Sequence, residues 1–475
     1  MIVIICDATK EIGYGHLKRC LVLAASYRKL GFAVIFLMRD ASPAVETLLK
    51  THEMGLVVRS THNDCLAYLF EQKEDIRLVI IDHYQINADL EKEISNISPV
   101  LVIDDLCRSH WCDLLVDQTH GRTPHDYGKK LYKPTAEALL GSPYTIIDPV
   151  YKDVKTSGDK KNILLTFGAT DPQGCVLTVL DILKETVWGE EVIFHVPLSS
   201  MSPCLDGVKQ RQENTGMDIR LYLDPPDLCS LYKRCGIAVG APGTSLLERI
   251  YCGLINIIMI VSSNQRDVGQ NISRQGAAIH LGEIQTLDPA QLVKAMAQVS
   301  DPSGDGACVL KKAAAMVDGK GAGRIIKQTL PLISDCRLRS ATKADMEILY
   351  RWQHEKGARD YSRNTDLPTK KEHQRWFENL LSNADVTLYI IEWCTMAVGY
   401  IRLNPLGKKT EISILISSHF RNLGLAKRAL LNLIKRKELF YFAYIRPENR
   451  ASIGLFTAAG FQYKGQGEYI YNAVP

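Results

Sequence analysis

The sequence predicts an α/β fold in which two consecutive parallel-sheet lobes are followed by a smaller mixed α/β unit. Three observations carry this prediction. Short apolar runs alternate with helical patterns from residue 1 to about 150, and the alternation restarts at Asn162. Beyond about residue 336, three strand-like runs follow one another with no helix between them, as antiparallel strands do. The chain has 475 residues, and that length corresponds to about three domains. The expected ranges are 1–150, 151–330 and 336–475.

In the first range the strand-like runs are Ile2–Cys6, Ala33–Met38, Leu78–Asp82, Val100–Asp104 and Leu114–Val116. Their continuous apolar character indicates strands covered on both faces. The polar stretch Pro149–Lys161, which includes VKTSGDKK, reads as a crossing between lobes. The second series runs through Asn162–Gly168, Val192–Val196, Ile219–Leu223, Ile237–Gly240 and Ile255–Val261. Two such Rossmann-like lobes in succession predict a glycosyltransferase-B arrangement, with ligand at the C-terminal strand ends. The third unit starts around Pro331–Cys336 with a strand at Arg337–Ala341 and helices at 343–356 and 371–382. Strands follow at Val386–Glu392, Ala397–Leu403 and Glu411–Ile416, then a helix near 424–437. A strand at Tyr441–Arg446, a helix near 450–459 and a closing strand at Gly467–Asn472 complete it.

Composition excludes several classes of function. With 46% hydrophobic and 23% charged residues the chain is that of a soluble globular protein. A net charge of +4 gives no case for nucleic acid or a polybasic membrane anchor. No apolar run approaches the roughly 20 residues that span a bilayer. MIVIIC lacks a basic leader and reaches Asp7 at once, so it reads as a first strand rather than a signal peptide. The 13 cysteines are scattered without a CxxC pair, which points to reduced thiols in a cytoplasm. Cys107 and Cys112 flank His110, but no second ligand pair has suitable spacing and no metal is expected.

Four motifs carry chemistry. The first is Asp7…Gly13-Tyr-Gly15-His16-Leu-Lys-Arg19, a strand, a glycine turn and a helix start. Glycines allow close approach and helix-start amides hold phosphate. The positive end of the helix dipole predicts a neutral His16 able to accept a proton, and Asp7 joins it as a catalytic candidate. Arg19, one turn on, shares its face and could support an anionic leaving group. The plainer reading is a histidine that caps a helix and an arginine paired with a surface carboxylate.

The second motif is Gly240-Ala-Pro-Gly243-Thr244-Ser245-Leu-Leu-Glu248. It can hold a nucleotide, with phosphate on the helix start and the ribose diol on Glu248. Ser245-x-x-Glu248 equally fits a capping box. In the third, Phe167-Gly168-Ala-Thr170-Asp171-Pro172, Asp171 and Pro172 suit an N-cap and first helical position, with ligand contact from Gly168 and Thr170 in addition. Asn264 and Gln265 close the last strand and face the same cleft. The fourth is Arg421-Asn422-Leu423-Gly424-Leu425-Ala426, a loop opening a helix that can seat a pyrophosphate, with Asn449 and Ser452 following. Taken by itself this hexapeptide is an ordinary loop-to-helix junction; the ordered set with its neighbours favours the ligand reading.

The ordered set GYGHLKR, Asp82-His-Tyr84, Ile103-Asp-Asp105, Leu140-Gly141…Tyr144, FGATDP, GAPGTSLLE and Ser263-Asn264-Gln265 resembles the UDP-sugar hydrolases of pseudaminic acid biosynthesis, relatives of glycosyltransferase-B donor domains. The resemblance covers residues 1 to about 330 and implies His16 as the essential base, with UDP held by the 240–248 segment. The chain departs from that family at Pro242, where members carry glycine or alanine, and at Asp148, in place of an arginine-like residue. Residues from about 336 to 475 resemble GNAT acyltransferases. That implies acetyl-CoA between splayed strands, contacted by Leu415, Ile416, the 421–426 loop, Asn449 and Ser452. Phe456 stands where many members have a tyrosine acid, so another group or water must serve, with Tyr463 or Tyr469 as candidates to take part, and Glu411 is the candidate base through a water.

Together the two resemblances imply a bifunctional cytoplasmic enzyme. The C-terminal unit would acetylate a UDP-4-amino-sugar, and the lobes would hydrolyse the product to free sugar and UDP, without nucleic acid, membrane or metal. Two alternatives stand beside it: a true glycosyltransferase in which His16 deprotonates a sugar acceptor, and a GNAT-like unit that merely binds nucleotide or CoA.

Overall fold

A computed structural model describes residues 1–8, 14–301, 306–333, 336–383, 385–393, 396–434 and 440–471. Gly13, the helix end expected at 435–437 and Asn472 lie outside them. The chain divides into two compact units, Met1–Thr329 and Leu330–Pro475.

The first unit contains two parallel sheets. In one, β1 (Ile2–Cys6), β2 (Val34–Met38), β3 (Gly55–Val58), β4 (Leu78–Asp82), β5 (Val100–Ile103), β6 (Leu114–Asp117) and β7 (Glu137–Leu140) run in the order β3-β2-β1-β4-β5-β6-β7. In the other, β8 (Asn162–Thr166), β9 (Ile193–Leu198), β10 (Asp218–Leu223), β11 (Ile237–Gly240), β12 (Ile255–Ile260) and β13 (Ile279–Glu283) run β10-β9-β8-β11-β12-β13. Both are doubly wound, and the strand order reverses between β1 and β4 and between β8 and β11. Ligands of such sheets bind outside the C-terminal strand ends at that reversal. Asp7 follows β1, Gly168 follows β8, and the 240–248 segment starts at the last residue of β11.

Helices cover both faces of the second sheet. Ile163 and Leu165 of β8 enter one apolar cluster, while Leu164 between them enters the other. The segment read as a crossing is not a free linker, because Tyr151 and Val154 are buried in the second of these clusters. The helix Gly321–Ile333 returns to the first lobe. Thr329 hydrogen-bonds Tyr27 at 2.6 Å, and Arg324 donates to the Pro143 carbonyl at 2.8 Å.

The second unit is one mixed sheet. Its strands β14 (Cys336–Ser340), β15 (Thr387–Trp393), β16 (Met396–Leu406), β17 (Lys409–Ile416), β18 (Phe440–Tyr444), β19 (Gln462–Gly465) and β20 (Glu468–Tyr471) run β14-β15-β16-β17-β18-β20-β19. Neighbours are antiparallel except β17 and β18, which pair in parallel only at Lys409–Glu411 with Phe440–Phe442. Beyond Glu411 the two strands diverge and leave their facing backbone groups without a ladder. Among the described residues no helix is long and apolar enough to cross a membrane.

The first lobe is cross-linked by a buried ionic group. His110 Nδ1 lies 2.8 Å from Glu91, and its Nε2 lies 3.3 Å from Asp104, which also accepts from Tyr127 at 2.7 Å. Burial opposes protonation of His110, but Asp104 and Glu91 outweigh it and its pKa is pushed up to about 9. The ordinary value is near 6.5. The stabilisation is therefore complete below about pH 6.5 and fades as pH rises through about 9. His110→Gln is expected to cost about 3 kcal/mol at pH 6 and distinctly less at pH 10. Denaturant unfolding at the two pH values measures this, and an equal cost at both would contradict it.

Candidate functional site

The helix Gly15–Lys29 starts beside the C-terminal ends of β1 and β4, and most of its length is buried. The i, i+3 spacing puts His16 and Arg19 together over the end of β4. His16 Nδ1 lies 2.8 Å from Asp82 Oδ1. Arg19 grips the same carboxylate from Nε and Nη2, both at 2.6 Å, and reaches Asp105 from Nη1 at 3.2 Å. Burial alone would raise the Asp82 pKa, but Arg19 and His16 outweigh it and hold Asp82 well below the usual carboxylate range.

Two expectations change here. Arg19 is committed to Asp82 and Asp105, so it anchors a carboxylate where a contact to an anionic leaving group was expected. The His16 pKa is set by its buried neighbours and is not lowered as the helix dipole alone predicts. Burial lowers its pKa and Arg19 does too, but Asp82 prevails and the net shift is upward. With Nδ1 directed at the carboxylate, Nε2 is the nitrogen left to exchange a proton, the arrangement a general base needs.

Asp7 lies on the other side of β4's end. Its Oδ1 accepts from His83 Nε2 at 2.7 Å, with the tautomer fixed because His83 Nδ1 accepts the Gln85 amide at 3.0 Å. Asp7 is thus paired with His83 rather than with His16. Tyr84 was missed as a site residue. Its ring stands edge-on to His16 with centroids 4.6 Å apart, and its hydroxyl donates to Asp105 at 3.1 Å. Asn264 of the second lobe donates to the same hydroxyl at 3.3 Å, so this contact closes across the cleft. The signal was present in the sequence: polar residues directly after an apolar strand, as in Asp82-His-Tyr84.

Opposite His16 the second lobe presents a helix start. The helix Thr244–Cys252 follows Gly243 with no side-chain cap, which removes the capping-box reading of Ser245 and Glu248. A Cβ on Gly15 would stand 3.3 Å from the Thr244 hydroxyl, so the two helix starts meet. Gly240 admits no side chain: a Cβ there would lie 2.0 Å from the Thr166 carbonyl oxygen. Glu248 accepts from Tyr232 at 3.1 Å. Burial, reinforced by Asp148, raises its pKa despite Lys18 and Tyr232. Asp148 itself caps the turn at Val150, and Pro242 packs near Gly269.

Gly168 follows β8 with φ 104°. The Thr170 carbonyl accepts from Ser202 at 2.6 Å. Asp171 caps a helix, but one that begins at Cys175. Its carboxylate accepts the Cys175 and Val176 amides at 3.0 and 2.9 Å, so Pro172 lies in the preceding turn and is not the first helical residue. Gln265 accepts the Val261 amide at 3.0 Å and closes the β12 end.

In the second unit the loop Arg421–Gly424 takes positive φ at Asn422 (64°) and Gly424 (77°) and opens the helix Leu425–Ile434. Leu415 and Ile416 lie on the diverging part of β17 beside it. Arg421 Nε donates to the Ile416 carbonyl at 3.2 Å. Leu423 and Ala426 flank the turn, so loop amides and an unpaired strand edge converge, a geometry suited to a pantetheine-linked pyrophosphate. Asn449 accepts the Ser452 amide at 3.0 Å, a helix cap where a cofactor contact was expected. Glu411 is buried and paired with Arg363 at 2.5 Å. Phe456 is a core residue packed edge-on against Phe461. Tyr463 is exposed and stacks near the buried Tyr469, with ring centroids 5.2 Å apart.

The comparisons with known proteins follow this division. Residues 335–462 match the family described as acetyltransferase (GNAT) domain. MurG of Acinetobacter baumannii shares the two-lobed fold, with a TM-score of 0.50 at 13% identity over 68% of this chain and 97% of that one. The chain therefore joins a glycosyltransferase-B-like pair of lobes to a C-terminal GNAT domain. It is similar over its whole length to an uncharacterized protein of Methanocaldococcus jannaschii, 24% identical over 507 residues and 99% of each chain. It is also 29% identical over 231 residues to the UDP-2,4-diacetamido-2,4,6-trideoxy-beta-L-altropyranose hydrolase of Campylobacter jejuni, covering 47% of this chain and 78% of that protein.

Asp82→Asn removes the charge that opposes burial at His16. The His16 imidazole, followed by NMR titration, is expected to move to a lower pKa than in the parent protein. An unchanged or higher value would show that Asp82 does not set its protonation.

Proposed function

We propose that this chain is a bifunctional nucleotide-sugar enzyme. The C-terminal domain transfers acetyl from acetyl-CoA to the amine of a UDP-4-amino-sugar, and the two lobes hydrolyse the resulting UDP-2,4-diacetamido-2,4,6-trideoxyhexose to free sugar and UDP. The observation that carries the hydrolytic half is His16, fixed by Asp82, facing an uncapped helix start that follows a glycine turn. Water deprotonated at Nε2 attacks the anomeric carbon while the bond to the UDP oxygen breaks. The amides of residues 244–246 receive the departing charge, and Glu248 accepts from the ribose diol. The similarity to the Campylobacter hydrolase supports the same reading.

For the acetyl transfer, the diverging β17 and β18 and the Arg421–Gly424 turn support acetyl-CoA binding, in line with the family match. A neutral amine attacks the thioester carbonyl, the amide bond forms and the thiolate leaves. The domain's main task is to align the two reactants. Glu411 is the proton acceptor on this reading, once Arg363 is drawn away from it.

One experiment addresses both halves. The UDP-4-amino-sugar and acetyl-CoA are supplied without any sugar acceptor, and products are followed by mass spectrometry. The parent protein is expected to yield acetylated free sugar and UDP. His16→Asn is expected to accumulate the acetylated UDP-sugar, with UDP release lowered about 100-fold or more. Undiminished UDP release by the variant would refute the role of His16, and absence of acetylated product would refute the transferase assignment.

A further inference from the structure

Arg249 follows Glu248 on the helix Thr244–Cys252 and has no accessible surface. Its Nη2 donates to the Ala241 carbonyl at 2.9 Å. Nε and Nη1 have no hydrogen-bond partner among the described residues, and no carboxylate there forms an ion pair with it. Nη1 lies 2.7 Å from the position a Gly240 Cβ would take, so the guanidinium sits against the backbone where β11 turns into the loop. Burial lowers its pKa to about 10 despite Tyr232 and Glu248, which leaves it charged at neutral pH. Glu248 acts on it only from beyond ion-pair contact, and a buried cation with no carboxylate against it is costly.

The loop above this cation runs into amides that no side chain caps. The helix start and the buried guanidinium are separate features, and both favour negative charge at one place. We propose that Arg249 is a positioning residue for the diphosphate of the bound nucleotide. It fixes the Ala241 carbonyl beneath the loop and supplies the positive charge that the phosphates complete. The inference rests on the nucleotide reading of this lobe given above. On this view the ligand-free lobe holds a charge that Glu248 compensates only in part, and nucleotide binding completes the compensation.

Charge acts on phosphates and not on an uncharged nucleoside, so UDP and uridine separate this role from a structural one. Both are titrated calorimetrically into the full-length parent protein, Arg249→Met and Arg249→Lys. R249M is expected to lose about tenfold or more in UDP affinity while its uridine affinity stays within about twofold. R249K, which keeps the charge, is expected to retain UDP affinity within about threefold. Should R249M fail to fold, Arg249→Gln carries the same expectation. The proposal is overturned if the neutral variant binds UDP as the parent does, or loses UDP and uridine by one factor. Failure of the parent protein to bind UDP would remove the nucleotide reading itself, a distinguishable result.

Discussion

The site depends on one buried contact, the carboxylate of Asp82 held between Arg19 and His16. A carboxylate at this depth would ordinarily take up a proton. Arg19 keeps it charged with two short hydrogen bonds, and the charge then orients the imidazole and raises its basicity. Remove Arg19 and the carboxylate loses its counter-charge; remove Asp82 and the guanidinium is buried without its main partner. The helix Gly15–Lys29 supplies both His16 and Arg19 at i, i+3 spacing, so its N-terminal register and the chemistry are one constraint.

The two lobes repeat one topology and use its strand-order reversal differently. The first places titratable side chains there: Asp7, His16, Asp82, His83 and, through Asp105, Tyr84. The second places backbone donors there, with Gly240 clearing the approach and Glu248 and Arg249 packed behind. Proton transfer and leaving-group stabilisation make different demands, and the proposed function assigns one of them to each lobe. The second unit uses a third device, a parallel strand pair that ends after Glu411 and exposes its edge to a turn rich in positive φ.

The interior of the fold was legible because fully buried parallel strands are continuous apolar runs, as in Ile2–Cys6 and Val100–Ile103. The strands that escaped reading lie at or near sheet edges. Gly55–Val58, Ile279–Glu283 and Gln462–Gly465 are partly or largely exposed, and their sequences carry polar residues and glycine. Glu137–Leu140 is short and half-buried, at the opposite edge of the first sheet. At the site, spacing placed His16 and Arg19 on one face, but the partner that fixes their charge states is Asp82, more than sixty residues away. The helix dipole is a local effect and Asp82 is not, which is why the direction of the His16 shift was misjudged. The capping box of Ser245 and Glu248 had the right spacing, but the helix begins two residues too early for it to form.

The central claim is that His16 delivers water to the anomeric carbon with UDP as the leaving group. Hydrolysis of the UDP-diacetamido-sugar in water enriched in oxygen-18 tests it most directly, with both products weighed by mass spectrometry. The account predicts one heavy oxygen in the sugar at early times and none in UDP. Label in the β-phosphate of UDP would mean attack at phosphorus and would contradict it.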